Sequence, residues 1–211
     1  MSPPSDPRLL VLRGLRLKGV VPLDGLADAT GLPAADVEPV LDALAGDGFV
    51  VLRTGALAGW ALTPAGRREL ERLLADEVDA AGAREAVTGA YQRFRALNAG
   101  VLDVCSQWQV RDVDGRPVVN DHTDAAYDEA VIADLARIQH AADPLCDDLA
   151  AALDRFRSYG PALRRAVRRV EDGDGDWFTK PVMPSYHTVW FELHEDLLAT
   201  LGLDRTSEPV S

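Results

Sequence analysis

The 211-residue chain is 47% hydrophobic and 27% charged, with a formal net charge of −12 and a pI near 4.7. That is enough apolar material for one large or two small cored domains, and the acidic balance excludes a generally basic, polyanion-seeking surface. No apolar run approaches the ~20 residues of a membrane span, and the opening Met1-Ser2-Pro3-Pro4-Ser5-Asp6-Pro7 lacks the basic and apolar regions of a secretory signal, so no membrane partner and a cytoplasmic location are expected.

The first elements fall between residues 20 and 68. Pro22 and Leu23 open a short amphipathic helix with Leu23, Leu26 and Ala27 on one face, and Thr30-Gly31-Leu32-Pro33 breaks it. A second helix spans residues 34–45, with Val37, Val40, Leu41 and Leu44 at helical spacing, and stops at Gly46-Asp47-Gly48. Phe49-Val50-Val51-Leu52 and Trp60-Ala61-Leu62 read as strands around a glycine-containing turn. The order predicts a helix-turn-helix followed by a hairpin wing, a common vehicle for entering a DNA major groove.

Through Asp47-Gly48-Phe49-Val50 before the hairpin and Leu62-Thr63-Pro64-Ala65-Gly66-Arg67 after it, the chain resembles the MarR-like winged-helix transcription regulators over roughly residues 7–80. The resemblance implies that the helix over residues 34–45 reads bases, with Ala34, Ala35 and Glu38 at the DNA, and that Arg53 and Thr54 of the wing touch the minor groove or phosphates. Arg13, Arg16, Arg67 and Arg68 complete the expected contact set with double-stranded DNA. The flanking helices of that family form a dimer interface, so a homodimer is also implied. The chain departs from the pattern in charge: the reading helix holds Asp36, Glu38 and Asp42 and no Lys or Arg, and residues 1–80 hold 8 basic against 12 acidic side chains. Phosphate neutralisation normally supplies much of DNA affinity, so the expectation requires the few cations to gather on one face. The competing expectation is a winged helix that docks a protein, in an accessory that does not bind DNA.

From Thr63 onward the pattern is almost wholly helical. Residues 64–81 and 83–109 read as a long helix across a domain junction, with Val87, Tyr91, Phe94, Leu97, Val101, Leu102, Cys105 and Trp108 on a broad face suited either to pairing two chains or to packing within its own domain. Residues 109–120 alternate around Asp114-Gly115 and predict a second hairpin. Helices are expected over residues 125–142, from Pro144 to about Tyr159, over 161–170 and from Pro184 or Ser185 onward. Arg164, Arg165, Arg168 and Arg169 make the one concentrated basic patch, read chiefly as salt-bridging. Cys105 and Cys146 read as buried thiols. The fold class is therefore mainly α, with a winged helix-turn-helix domain over residues 1–80 and a helical dimerisation and ligand-binding bundle over residues 81–211.

No chemistry-bearing motif points to catalysis. Phosphate loops, nucleophile elbows and dinucleotide fingerprints are absent, residues 171–176 fail the calcium-loop pattern, and His194-Glu195 lacks the second histidine of the zinc-protease motif. No catalytic residue, cofactor or metal is expected. Tyr91, Trp108, His122, Trp177, His187, Trp190 and His194 are instead candidates for a mostly apolar pocket with a few polar anchors, holding a small-molecule effector, against the alternative of an aromatic-rich core. The sequence thus predicts a ligand-responsive, winged-helix transcription regulator.

Overall fold

The computed structural model describes residues 3–55 and 57–203. It is mainly helical: α1 (Pro7–Lys18), α2 (Leu23–Thr30), α3 (Ala34–Gly46), β1 (Val50–Arg53), β2 (Gly59–Leu62), α4 (Pro64–Ala80), α5 (Arg84–Gln109), β3 (Val110–Val113), β4 (Arg116–Val119), α6 (Ala125–Ala152), α7 (Tyr159–Glu171), α8 (Asp176–Thr179) and α9 (Tyr186–Leu201), with a short 3-10 turn at Asp154–Ser158. The strands form two antiparallel hairpins. No described helix is long and apolar enough to cross a membrane.

The chain divides into two compact units. Of the described residues, the first takes those within 3–84, 153–155 and 195–203, and the second takes the rest. Helix α9 therefore supplies residues to both, a discontinuity that the simple boundary at residue 80 did not anticipate.

In the first unit, Leu9, Leu12 and Leu15 of α1, Leu26 of α2, Val37, Leu41 and Leu44 of α3, and Leu70 and Leu74 of α4 form the core. Register in the hairpin pairs Val50 with Leu62 and Arg53 with Gly59, and Val21 bridges Trp60 just before α2. The Leu-Thr-Pro-Ala-Gly phrase has a structural cause. Thr63 caps α4 by accepting from the Gly66 amide at 3.0 Å, and its hydroxyl lies 2.8 Å from the Gly48 carbonyl. Pro64 fills the first turn, where no amide partner is needed. A Cβ at Gly66 would stand 2.0 Å from the Phe49 carbonyl oxygen, so only glycine lets α4 leave this close to the hairpin.

Buried charge ties the tail into this unit. Asp196 on α9 accepts from Arg13 Nε at 2.7 Å and from Arg155 at 2.7 Å, while Arg155 also donates to Glu77 at 2.7 Å and to Thr200 at 2.8 Å.

The helices differ from expectation in two places. Gly82, at φ 60°, ends α4 in the left-handed conformation, so the long helix expected across residues 64–109 is two helices. Pro144 does not start a new helix but lies inside α6, exposed, as is His140 one turn back, so the missing amide falls on the solvent side while Leu145, Cys146 and Leu149 are buried on the other. The second hairpin forms as expected. Asp114 and Gly115 adopt φ 54° and 78°, the doubly positive turn that suits strand twist.

Two stability outcomes follow. Asp196→Ala, which removes the carboxylate shared by two buried guanidinium groups, should cost about 3–5 kcal/mol in urea unfolding of the full chain. Gly66→Ala should cost about 1–3 kcal/mol in the same assay by forcing α4 off the hairpin.

Candidate functional site

The expected nucleic-acid face does not assemble as a basic patch. Helix α3 turns Val37, Leu41 and Leu44 inward, half-buries Ala34, and exposes Ala35, Asp36, Glu38 and Asp42. Between Lys18 and Arg53 the sequence contains no Lys, Arg or His. Asp24, Asp28, Asp36, Glu38 and Asp42 are exposed, and none is ion-paired among the described residues. Arg13, expected at DNA, is instead buried with its side chain 7% exposed, because Asp196 holds it. Arg16 is half-buried at a cavity of about 580 Å³ that Glu71 and Glu195 also line. Arg53, Thr54, Arg67 and Arg68 are exposed, and these three arginines have no ion pair among the described residues.

The basic run on α7 is partly neutralised in the way the sequence suggested: Arg164 pairs with Asp143 at 2.8 Å, and Arg169 pairs with Asp174 at 2.6 Å.

The candidate ligand residues separate into two groups. Tyr91, Trp190 and His194 belong to a packed interior in which Phe94 stacks on Trp190 at 4.4 Å and lies 4.9 Å from His194. Trp190 Nε1 donates to Asn98 at 3.0 Å, so its polar atom is satisfied inside the core. Trp177 lies under the Arg169 guanidinium at 5.4 Å, and His187 is half-buried and joins neither group. The broad apolar face of α5 is largely occupied within the chain as well: Val87, Tyr91, Phe94, Val101, Cys105 and Trp108 are all buried, leaving Leu102 as its exposed exception.

Trp108 and His122 do converge, on a cavity of about 620 Å³ in the second unit. Its wall comes from the end of α5, the start of α6, Val170 of α7 and the loop through α8. Trp108 is sandwiched between Phe178, stacked at 4.6 Å, and His122, tilted at 4.4 Å. Asn120 builds the corner: its amide nitrogen donates to the Trp108 carbonyl at 3.2 Å and to Asp128 Oδ1 at 2.8 Å, and its oxygen accepts from the His122 amide at 3.2 Å. His122 Nδ1 then sits 3.0 Å from Asp128 Oδ2. Both carboxylate oxygens are thereby occupied, and the imidazole turns its other nitrogen away from Asp128. His122 holds φ at 57°, a left-handed conformation that Asn, Asp and His tolerate better than most side chains.

The opposite rim is acidic but mostly compensated. Asp176 pairs with Lys180 at 2.5 Å and Asp174 with Arg169, whereas Glu129 is exposed and unpaired among the described residues. Gly175 sits against the indole, since a Cβ there would fall 2.9 Å from the Trp108 ring. Among the described residues, no cluster of three or more His, Cys, Asp or Glu is arranged to hold a metal ion. Burial pushes both Cys105 and Cys146 thiols up to about 12, so each stays protonated and unreactive in the folded chain.

Sequence reasoning missed Asn120, Asp128, Gly175 and Phe178 as parts of this site. The available signal was the polar run Asn120-Asp121-His122-Thr123-Asp124 ahead of a helix carrying Asp128, a spacing suited to side chains folding back on one another. Compared with protein-family models, with curated proteins and with solved structures, the chain gives no match.

Gly175→Ala is expected to displace the Trp108 ring and open its stack with Phe178, read as a changed near-ultraviolet dichroism and tryptophan emission with the far-ultraviolet helix signal unaltered. Thiol titration of the native chain should find neither cysteine reactive near pH 8, a raised thiol pKa favouring the neutral form, and both reactive after unfolding.

Proposed function

We propose that the protein is a small-molecule-binding accessory protein whose N-terminal unit is a winged helix that docks a protein surface in place of DNA. The order α1, Val21 bridge, α2, α3, β1, β2 supports the winged-helix reading. The observation that carries the choice of partner is the carboxylate face of α2 and α3. A helix seated in the major groove brings its exposed side chains close to two rows of phosphates, where each carboxylate is repelled by roughly 0.5–1 kcal/mol in water-like surroundings. Unpaired Asp24, Asp28, Asp36, Glu38 and Asp42 therefore oppose that approach and favour a partner bearing Lys or Arg. The cavity at Trp108 and His122 supports the ligand-binding half: its volume falls within the range of small-molecule sites, and Trp108, Ile132 and Val170 give it an apolar wall beside a largely charged rim.

One observation favours a DNA-binding regulator as the second reading. Arg53, Arg67 and Arg68 stand exposed and unpaired on the hairpin and the start of α4, and a wing-first contact uses those three while keeping α3 off the duplex.

The two readings separate in a polarisation titration of a labelled duplex from the region upstream of the coding sequence. Protein docking predicts no retention at about 0.1 M salt, together with saturable capture of a Lys/Arg-rich test peptide that is lost in Asp36→Lys/Glu38→Lys/Asp42→Lys. Duplex binding with a log–log salt slope near −3, abolished by Arg53→Ala/Arg67→Ala/Arg68→Ala, gives the conclusion to the second reading.

A further inference from the structure

The small-molecule reading leaves the ligand's chemistry open, and resting on that reading, the geometry of the cavity narrows it. His122 Nδ1 lies 3.0 Å from Asp128 Oδ2 and 3.3 Å from Asn120 Nδ2, whose two hydrogens go to the Trp108 carbonyl and Asp128 Oδ1, so an uncharged imidazole that donates from Nδ1 to the carboxylate presents Nε2 as an acceptor. Among the described residues this Nε2 makes no hydrogen bond. Asn120 fixes the other Asp128 oxygen, so the pair is locked from both ends and cannot simply turn to satisfy Nε2 internally. A held acceptor beside an apolar wall is what a donor-bearing ligand requires.

Charge around that acceptor selects among donors. Facing His122 from α6 are Asp128 and Glu129, from the α7–α8 segment Asp174, Asp176 and Lys180, and from its own loop Asp121 and Asp124, which share Arg111 at 3.6 and 3.5 Å. Lys180 and Arg169 answer Asp176 and Asp174, leaving Glu129 as a carboxylate without a counter-ion. A carboxylate or phosphate ligand would meet this excess of negative charge and find no free cation. Phe178 and His122 both pack against the Trp108 ring, and the apolar wall left for the ligand's body is the remainder of Trp108 with Ile132 and Val170.

We infer that the cavity takes a primary ammonium ion on an apolar aryl or alkyl body, with one ammonium N–H donated to His122 Nε2 and Glu129 as counter-ion. Protonation of His122 removes the acceptor and adds a like charge, so affinity falls on acidification.

The test is calorimetric titration of the full chain with 2-phenylethylamine and, as the anionic counterpart of similar size, phenylacetate, at about pH 8 and about pH 5.5. The inference expects saturable amine binding at the higher pH, phenylacetate at least about tenfold weaker, and at least about a tenfold loss of amine affinity at the lower pH and in Glu129→Gln, a surface change that leaves the fold intact. His122→Ala, checked for an unchanged helical signal, should weaken the amine at the higher pH and remove the pH dependence. Phenylacetate binding as tightly as the amine overturns this inference while leaving a small-molecule site in place. Amine binding indifferent to both pH and Glu129→Gln overturns it too, as does no saturable binding of either probe. In the last case, quenching of the four tryptophans by a panel of uncharged metabolites decides the broader reading separately.

Discussion

Asp196 is the residue on which the first unit depends. Its carboxylate is 1% exposed and is shared between the guanidinium groups of Arg13 and Arg155, so α1, the 3-10 turn after α6 and the last turns of α9 meet at one charge. Removing such groups from water is expensive, and an apolar trio of similar volume often holds a fold as well or better. What the ionic arrangement adds is selectivity: a slip of α9 that set Leu197 at this place would take the shared carboxylate away from two buried cations. The neighbouring contacts strengthen that constraint. Glu77 accepts from Arg155 Nε and also from the Ser5 hydroxyl, so the chain just before α1 is drawn into the same network.

This internal use of arginine bears directly on function. In a chain with 22 basic and 34 acidic side chains, every cation buried or paired at home is one fewer for a polyanion. Arg13 and Arg155 are consumed in the core, Arg72 is forked between Glu69 and Asp76, and Arg8 is held by Asp47. The surface left over on α2 and α3 carries carboxylates alone. The resemblance to winged-helix regulators rests on residues whose roles here are architectural: Thr63 caps, Pro64 starts a helix, and Gly66 clears the Phe49 carbonyl. A phrase that solves a packing problem carries no information about the partner, so the motif and the charge can point in different directions.

Local signals were legible and convergence was not. Asp114-Gly115 announced its turn because two consecutive positive φ values need those residue types, and α2, α3 and both hairpins follow from spacing within a few positions. Pro144 misled because a proline on the wet side of a long helix costs little when the opposite side is anchored by Leu145 and Leu149. Gly82 misled in the other sense, since a single glycine between two helical patterns looks tolerable until its φ is known. Of the seven aromatic and histidine residues that helical spacing nominated, two meet at the cavity, because periodicity tells which residues face inward and nothing about which inward-facing groups meet an empty volume. Asn120 and Asp128 escaped for the same reason: each is an ordinary surface type until its hydrogen bonds to the other and to His122 turn it inward.

The strained backbone at His122 belongs with this convergence. A non-glycine residue at φ 57° costs something on the order of 1 kcal/mol, and here that cost is sustained by the Asn120 hydrogen bonds on one side and the Trp108 ring on the other. Relaxing His122 to an extended conformation would swing the imidazole off the indole and away from Asp128. The strain therefore fixes the direction of Nε2, and Gly175, which must lack a side chain for Trp108 to lie where it does, fixes the floor against which that direction is set. Neither device strengthens the core. Both define one small region of surface, and a fold that holds a strained histidine over a tryptophan at the edge of a cavity has spent stability on the shape of that region.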